Sequence, residues 1–196
     1  MGALPVAKLS MEEYLALDRV AEVPSEFHDG EMFPIEAITY EHSVISVNVG
    51  SALKTRLRGG NGGCQPLASP LRVRVSPTKR VIPDHAIVCG GPEFADKQRD
   101  TIVNPKVIVE ILSPSTANYD FGYKFRLYCR LTSFEEYVLI SQDEPRVERY
   151  RKSAEDRWVI SIYTGLGAVV PIESIDISLP LSEIYEDIVF PEIVED

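Results

Sequence analysis

Apolar positions are densest over residues 107–112. Val107, Val109 and Ile111 point one way along an extended chain, and Ile108 and Leu112 point the other. A run that is apolar on both faces predicts a strand covered on both sides, in the middle of an α/β sheet. Glu110 interrupts it. Burial strips a carboxylate of hydration, so Glu110 needs a cation or a donor, or else takes up a proton. Two readings are open at this point. One is a structural ion pair, or a strand-end carboxylate that reaches water. The other is a metal ligand or catalytic acid.

The residues that follow bear on the choice. Ser113-Pro114-Ser115-Thr116 stops the strand, because proline cannot continue a central ladder. A helix is predicted from Asn118 or Asp120, either of which suits a cap. Phe121, Phe125 and Tyr128 recur at helical spacing and form the stripe that faces the sheet. Lys124 lies three after Phe121 and four before Tyr128, beside that stripe. It either snorkels to water or delivers an ammonium to the end of the strand that carries Glu110.

Before this stretch, Ser10 and Glu13 make a capping box for a short helix that ends before Pro24. Phe27, the Asp29-Gly30 turn and the run from Glu31 to Ile38 predict a hairpin. A longer helix is expected over about Tyr40 to Leu57, its buried face formed by Val44, Val47, Leu53 and Leu57 with Ile45, Val49 and Ala52. The run Gly59-Gly60-Asn61-Gly62-Gly63 follows a helix and lacks a closing Gly-Lys-Ser/Thr, so it reads as a helix stop, not a phosphate loop. Leu71 to Val75 alternates apolar and basic positions as a strand with one exposed face. Val81 to Cys89 reads as the next strand, with Pro83 at its start or edge, and the loop from Glu93 to Thr101 as charged and exposed. After the central strand and helix, Glu136–Ser141, Arg146–Arg151 and Trp158–Tyr163 predict an antiparallel meander. Ile172 to Ile177 adds a strand, and a last short helix begins around Leu179 to Tyr185.

Composition narrows the class. With 196 residues, 44% hydrophobic and 26% charged, the chain has the length of one domain with a sizeable core. No apolar run approaches a membrane span. The N-terminus lacks the basic region and long apolar core of a signal peptide. Val6 stands where a myristoylation site wants Ser or Thr. Cys64, Cys89 and Cys129 show no paired spacing, which argues for a reducing cytosol and against a zinc site or disulfide frame. The net charge of −10 at first argues against a nucleic-acid partner. However, eight acids and no Lys or Arg follow Arg157. The body before it is near neutral.

The order of elements and residues resembles the PD-(D/E)xK nuclease superfamily, in particular its Uma-type restriction-endonuclease-like branch. The resemblance is carried by Pro83-Asp84, by Val109-Glu110-Ile111-Leu112-Ser113-Pro114-Ser115-Thr116, and by Asp120, Lys124 and Tyr128. The Asp29-Gly30-Glu31 hairpin and the helix entered through His42 add to it. It spans about Ser10 to Tyr185. The fold it implies is a restriction endonuclease-like α/β (mixed α+β) core, a central mixed sheet flanked by helices, here with the meander added. The chain departs from the superfamily pattern at Leu112, where the lysine two after Glu110 is expected. The resembled branch uses a lysine moved to the following helix, which matches Lys124.

The resemblance implies metal-dependent hydrolysis of DNA phosphodiesters, and the residue types suit that chemistry. Two carboxylates on neighbouring strands can hold Mg²⁺ or Mn²⁺ among oxygen ligands and water, and a lysine can orient the water or stabilise the transition state. Asp84 and Glu110 are the expected ligands, the Ile111 carbonyl a third, and Lys124 the catalytic ammonium. Glu31, His42 and Asp120 are supporting candidates, Asp120 more as a helix cap than as a ligand. His85 should point to the opposite face from Asp84. A homodimer is expected by resemblance. The other class is a non-catalytic binding or assembly module in which Glu110 and Lys124 only pair with each other.

Overall fold

The computed structural model describes residues 8–58, 63–113, 117 and 119–190. Helix α1 (Met11–Asp18) precedes a hairpin of β1 (Ser25–His28) and β2 (Glu31–Pro34). Helix α2 (Tyr40–Arg56) leads into β3 (Cys64–Ala68), β4 (Arg72–Ser76), β5 (Lys79–Val81), β6 (His85–Cys89), β7 (Thr101–Ile102) and β8 (Val107–Leu112). A π-helical turn, Tyr119–Lys124, runs into the short helix α3 (Phe125–Tyr128). The meander β9 (Glu136–Ser141), β10 (Arg146–Lys152) and β11 (Trp158–Thr164) follows, then the hairpin β12 (Val169–Ile172) and β13 (Ile177–Pro180), and last α4 (Leu181–Ile184).

The central sheet has the order β11-β10-β9-β8-β6-β3, with β8 and β9 parallel and the other pairs antiparallel. A second sheet has the order β2-β1-β5-β4-β7, with β4 and β7 parallel. The fold is mixed α/β, with mixed sheets flanked by helices. The strand β8 is buried along its length. Val107, Val109 and Ile111 join Ile45, Val49 and Leu53 of α2 in one core, while Ile108 and Leu112 join Leu127, Tyr128 and Tyr137 in the other. Each such burial contributes about 1.5–3 kcal/mol, which offsets the cost of carrying Glu110 among them.

Local chemistry sets the element ends. The Ser10–Glu13 capping box forms as expected, and the Thr39 hydroxyl accepts the His42 N–H at the start of α2. Asp29 and Gly30 both take positive φ, 51° and 101°, the conformation that a two-residue hairpin turn requires.

Several expectations are corrected. The run from Val81 to Cys89 is not one strand. The chain leaves the second sheet after β5 and enters the central sheet at β6, turning through Ile82-Pro83-Asp84, because Pro83 has no N–H for a ladder. Val47 is 68% exposed; the face of α2 turned to the sheet runs through His42, Ile45, Val49, Ala52 and Leu53. Ile172 to Ile177 joins the ends of two paired strands through a 3-10 turn. Strands β3 and β7 were not expected.

The cysteine reading is also overturned. Cys64 and Cys89 face each other across β3 and β6 and form a disulfide. Their separation of 25 residues hid a contact that only strand pairing makes, and it removes the cysteine argument for a reducing compartment. Cys129 is free and exposed. Of the C-terminal acids, Glu173 pairs with Arg149 and Arg151, and Glu183 with Arg56, so part of the acidic excess is neutralised on the body. The readings that rest on Gly59–Gly62, Pro114–Thr116, Asn118 and the two chain ends lie outside the described residues. Among the described residues, no helix is long and apolar enough to cross a membrane.

Candidate active site

The site forms where the two sheets meet. The pairing of His85 with Val109 sets Asp84, at the end of the sheet crossing, beside Glu110. The two are tied reciprocally: the Asp84 N–H donates to Glu110 Oε2 (3.2 Å), and the Ile111 N–H donates to Asp84 Oδ2 (2.7 Å). Lys124 arrives from the opposite layer. Its Nζ lies 3.1 Å from Glu110 Oε1, 3.3 Å from Asp120 Oδ1, 3.4 Å from Glu26 Oε1 and 3.3 Å from the Ile82 carbonyl. Both members of the central pair are buried, with Glu110 2% and Lys124 7% exposed.

The supporting candidates fall in different places. His42 Nε2 stands 2.8 Å from Asp84 Oδ1 and donates to it. Asp120 is buried and pairs with Lys124 one helical turn away. His85 points to the other face, as alternation requires, and contacts Ser46. Glu31 is exposed at the tip of the β1–β2 hairpin. The hairpin does supply a carboxylate, Glu26, further back on β1. Its Oε1 accepts the Ile82 N–H (2.9 Å), and its Oε2 accepts the Tyr119 hydroxyl (2.5 Å) and faces His28 Nε2 (3.2 Å).

Glu26 escaped the sequence reading because Phe27 marks the adjacent position as buried. Alternation then assigns Glu26 to the solvent face. The π-helical turn covers that face. A second buried polar group is Tyr128, read in the sequence as part of the apolar stripe and of the family resemblance but given no polar role; its hydroxyl donates to Glu110 Oε1 at 2.9 Å. Leu112, at the position of the usual lysine, is buried in the core.

The charges are coupled. Burial pushes Glu110 well above the usual carboxylate range; Lys124 opposes this, and Asp120, Asp84 and Glu26 add to it. Burial alone would favour a neutral lysine, but Glu110, Glu26 and Asp120 together hold the Lys124 ammonium well above its ordinary value. Asp84 is held below its ordinary value: burial opposes ionisation, but His42 and the Ile111 N–H outweigh it. Glu26 is brought down to about 2, since Lys124, His28, the Ile82 N–H and Tyr119 together exceed its burial cost.

Among the described residues, no three or more His, Cys, Asp or Glu side chains are grouped to hold a metal. The donor chemistry nevertheless fits a hard divalent cation, which prefers oxygen and keeps several waters. Both Asp84 oxygens and Glu110 Oε2 each accept one hydrogen bond from the described residues, and a carboxylate oxygen has room for a second interaction. Asp84 keeps 19% of its side-chain surface exposed, so water can reach it.

Comparison with known proteins agrees with this architecture. A solved structure described as "a putative nuclease belonging to DUF820", from Anabaena variabilis, superposes with a TM-score of 0.72 at 20% identity, covering 90% of this chain and 97% of that one. Two Synechocystis sp. proteins described as uncharacterized are similar in sequence. One, slr1290, is 32% identical over 187 residues, 95% of this chain and 96% of its own length. The other, sll1609, is 29% identical over 163 residues, 83% and 91% of the two chains. The profile of the family Uma2, described as "Putative restriction endonuclease", matches residues 11–182. With a match over that span, the chain belongs to the Uma2 family.

Proposed function

We propose that the protein is a metal-dependent DNA endonuclease and that Asp84, Glu110 and Lys124 carry the reaction. The observation that most supports this is the convergence of three separate segments on one point. A sheet crossing supplies Asp84, the central strand supplies Glu110, and a helix supplies an ammonium 3.1 Å from Glu110. Asp84 and Glu110, with the Ile111 carbonyl as a further oxygen, would hold Mg²⁺ or Mn²⁺, which lowers the pKa of bound water and neutralises phosphate charge when present. His42 orients Asp84 through its 2.8 Å hydrogen bond. Tyr128 fixes one oxygen of Glu110 and leaves the other towards Asp84. Lys124 places a fixed positive charge beside the carboxylate, where negative charge on a phosphate would develop.

A second reading has its own supporting observation. Glu110 and Lys124 satisfy each other in full burial, as a structural pair in a non-catalytic module would. Plasmid cleavage with Mg²⁺ or Mn²⁺ separates the two. The nuclease reading expects cleavage by the wild type and its loss in Glu110→Gln. Absence of cleavage by well-folded wild type with either ion, on duplex and single-stranded DNA, would refute it.

A further inference from the structure

Four oxygens surround the three hydrogens of the Lys124 ammonium: Glu110 Oε1, the Ile82 carbonyl, Asp120 Oδ1 and Glu26 Oε1, at 3.1 to 3.4 Å. The cluster therefore holds one acceptor more than it needs. If Glu110 turns to a metal, three acceptors remain, one for each hydrogen. They are not equivalent. Asp120 sits on the same helical turn as Lys124, so it moves with the lysine and cannot anchor it. The Ile82 carbonyl and Glu26 belong to the opposite layer. Glu26 is itself held by two partners outside that turn, the Ile82 N–H and His28, and also accepts the Tyr119 hydroxyl from within it.

A lysine that stands on the metal-binding strand is aimed by that strand. One carried on a following helix has a long flexible stem to restrain, and it needs a fixed partner elsewhere. We propose that Glu26 is a positioning residue for Lys124, anchoring the ammonium to the segment that carries Asp84 and leaving Glu110 available for a cation. This inference rests on the nuclease reading. Glu26 does not touch the reacting atoms; it acts through Lys124. Its low pKa, about 2, agrees with a carboxylate that stays charged in this role.

The test is a double-mutant cycle on single-turnover DNA cleavage, using wild type, Glu26→Gln, Lys124→Met and the double variant. Gln is nearly isosteric. Its oxygen can accept from the Ile82 N–H while its amide donates to the Tyr119 hydroxyl. In Glu26→Gln the rate constant at saturating DNA and Mn²⁺ should fall by about 100-fold, the scale of a ~1 Å misplacement. Apparent DNA and Mn²⁺ affinities should not change. In the Lys124→Met background the same substitution should have no further effect. If Glu26→Gln does not fold, Tyr119→Phe takes its place. It removes the 2.5 Å bond that fixes Glu26, and its smaller fall should likewise vanish without Lys124. Equal falls in both backgrounds, or a wild-type rate in a folded Glu26→Gln variant, would overturn the proposal while leaving the nuclease reading intact. A wild type that cleaves no DNA overturns both.

Discussion

Lys124→Met keeps the aliphatic stem and removes the ammonium, so it separates the charge from the packing. Removing one member of a buried ion pair costs about 3–5 kcal/mol when the partner is left uncompensated. Here the lower end, about 3 kcal/mol, is expected. Glu26 retains the Ile82 N–H, Tyr119 and His28, and Glu110 retains Tyr128 and the Asp84 N–H. Glu110 is also already pushed upward by burial, so protonation can relieve its charge. A domain of ordinary stability, about 5–15 kcal/mol, survives such a loss. Cleavage should drop by ~100-fold or more, the scale for losing one preorganised electrostatic group. Urea unfolding of both proteins gives the stability difference, and single-turnover cleavage of plasmid DNA in Mn²⁺ gives the rate. A folded Lys124→Met variant that cleaves like wild type would refute the assignment of the migrated lysine.

Calorimetric titration with Mn²⁺ should show binding by the wild type and its loss in Asp84→Asn; equal binding by the two would remove Asp84 from the site. Glu26 has a folded pKa of about 2, below the ordinary 4.5, so its contribution is complete above pH 4.5 and is lost as the pH falls through 2. At 1.36 kcal/mol per unit this amounts to about 3 kcal/mol, and urea midpoints should show an acid decline that Glu26→Gln lacks; identical acid limbs would contradict the cluster described here. Thiol titration of the unfolded, unreduced chain should return a single thiol, Cys129, while three thiols would exclude the Cys64–Cys89 bond.

Much of the fold follows from period and punctuation along the chain. The doubly apolar run at 107–112 reads as a central strand because it is short for a buried helix and is bounded by Pro105 and Pro114. The meander, the Asp29-Gly30 turn and the Ser10–Glu13 cap are local devices whose geometry is set within a few residues. Helical spacing placed Lys124 beside the Phe121–Tyr128 stripe but left open whether it reached water or Glu110, and the fold brings it 3.1 Å from Glu110 through a π-helical turn. What the sequence could not decide depends on which segments meet. Val81 to Cys89 reads as one strand, yet Pro83 divides it between two sheets, and that crossing brings Asp84 to Glu110. Cys64 and Cys89 meet only through the register of β3 and β6. Glu26 and Glu31 lie on the same face of one hairpin, since Glu31 pairs with His28, but the π-helical turn packs over Glu26 and His28 and leaves Glu31 exposed. Alternation states which way a side chain points, and tertiary packing decides whether water or a lysine waits there.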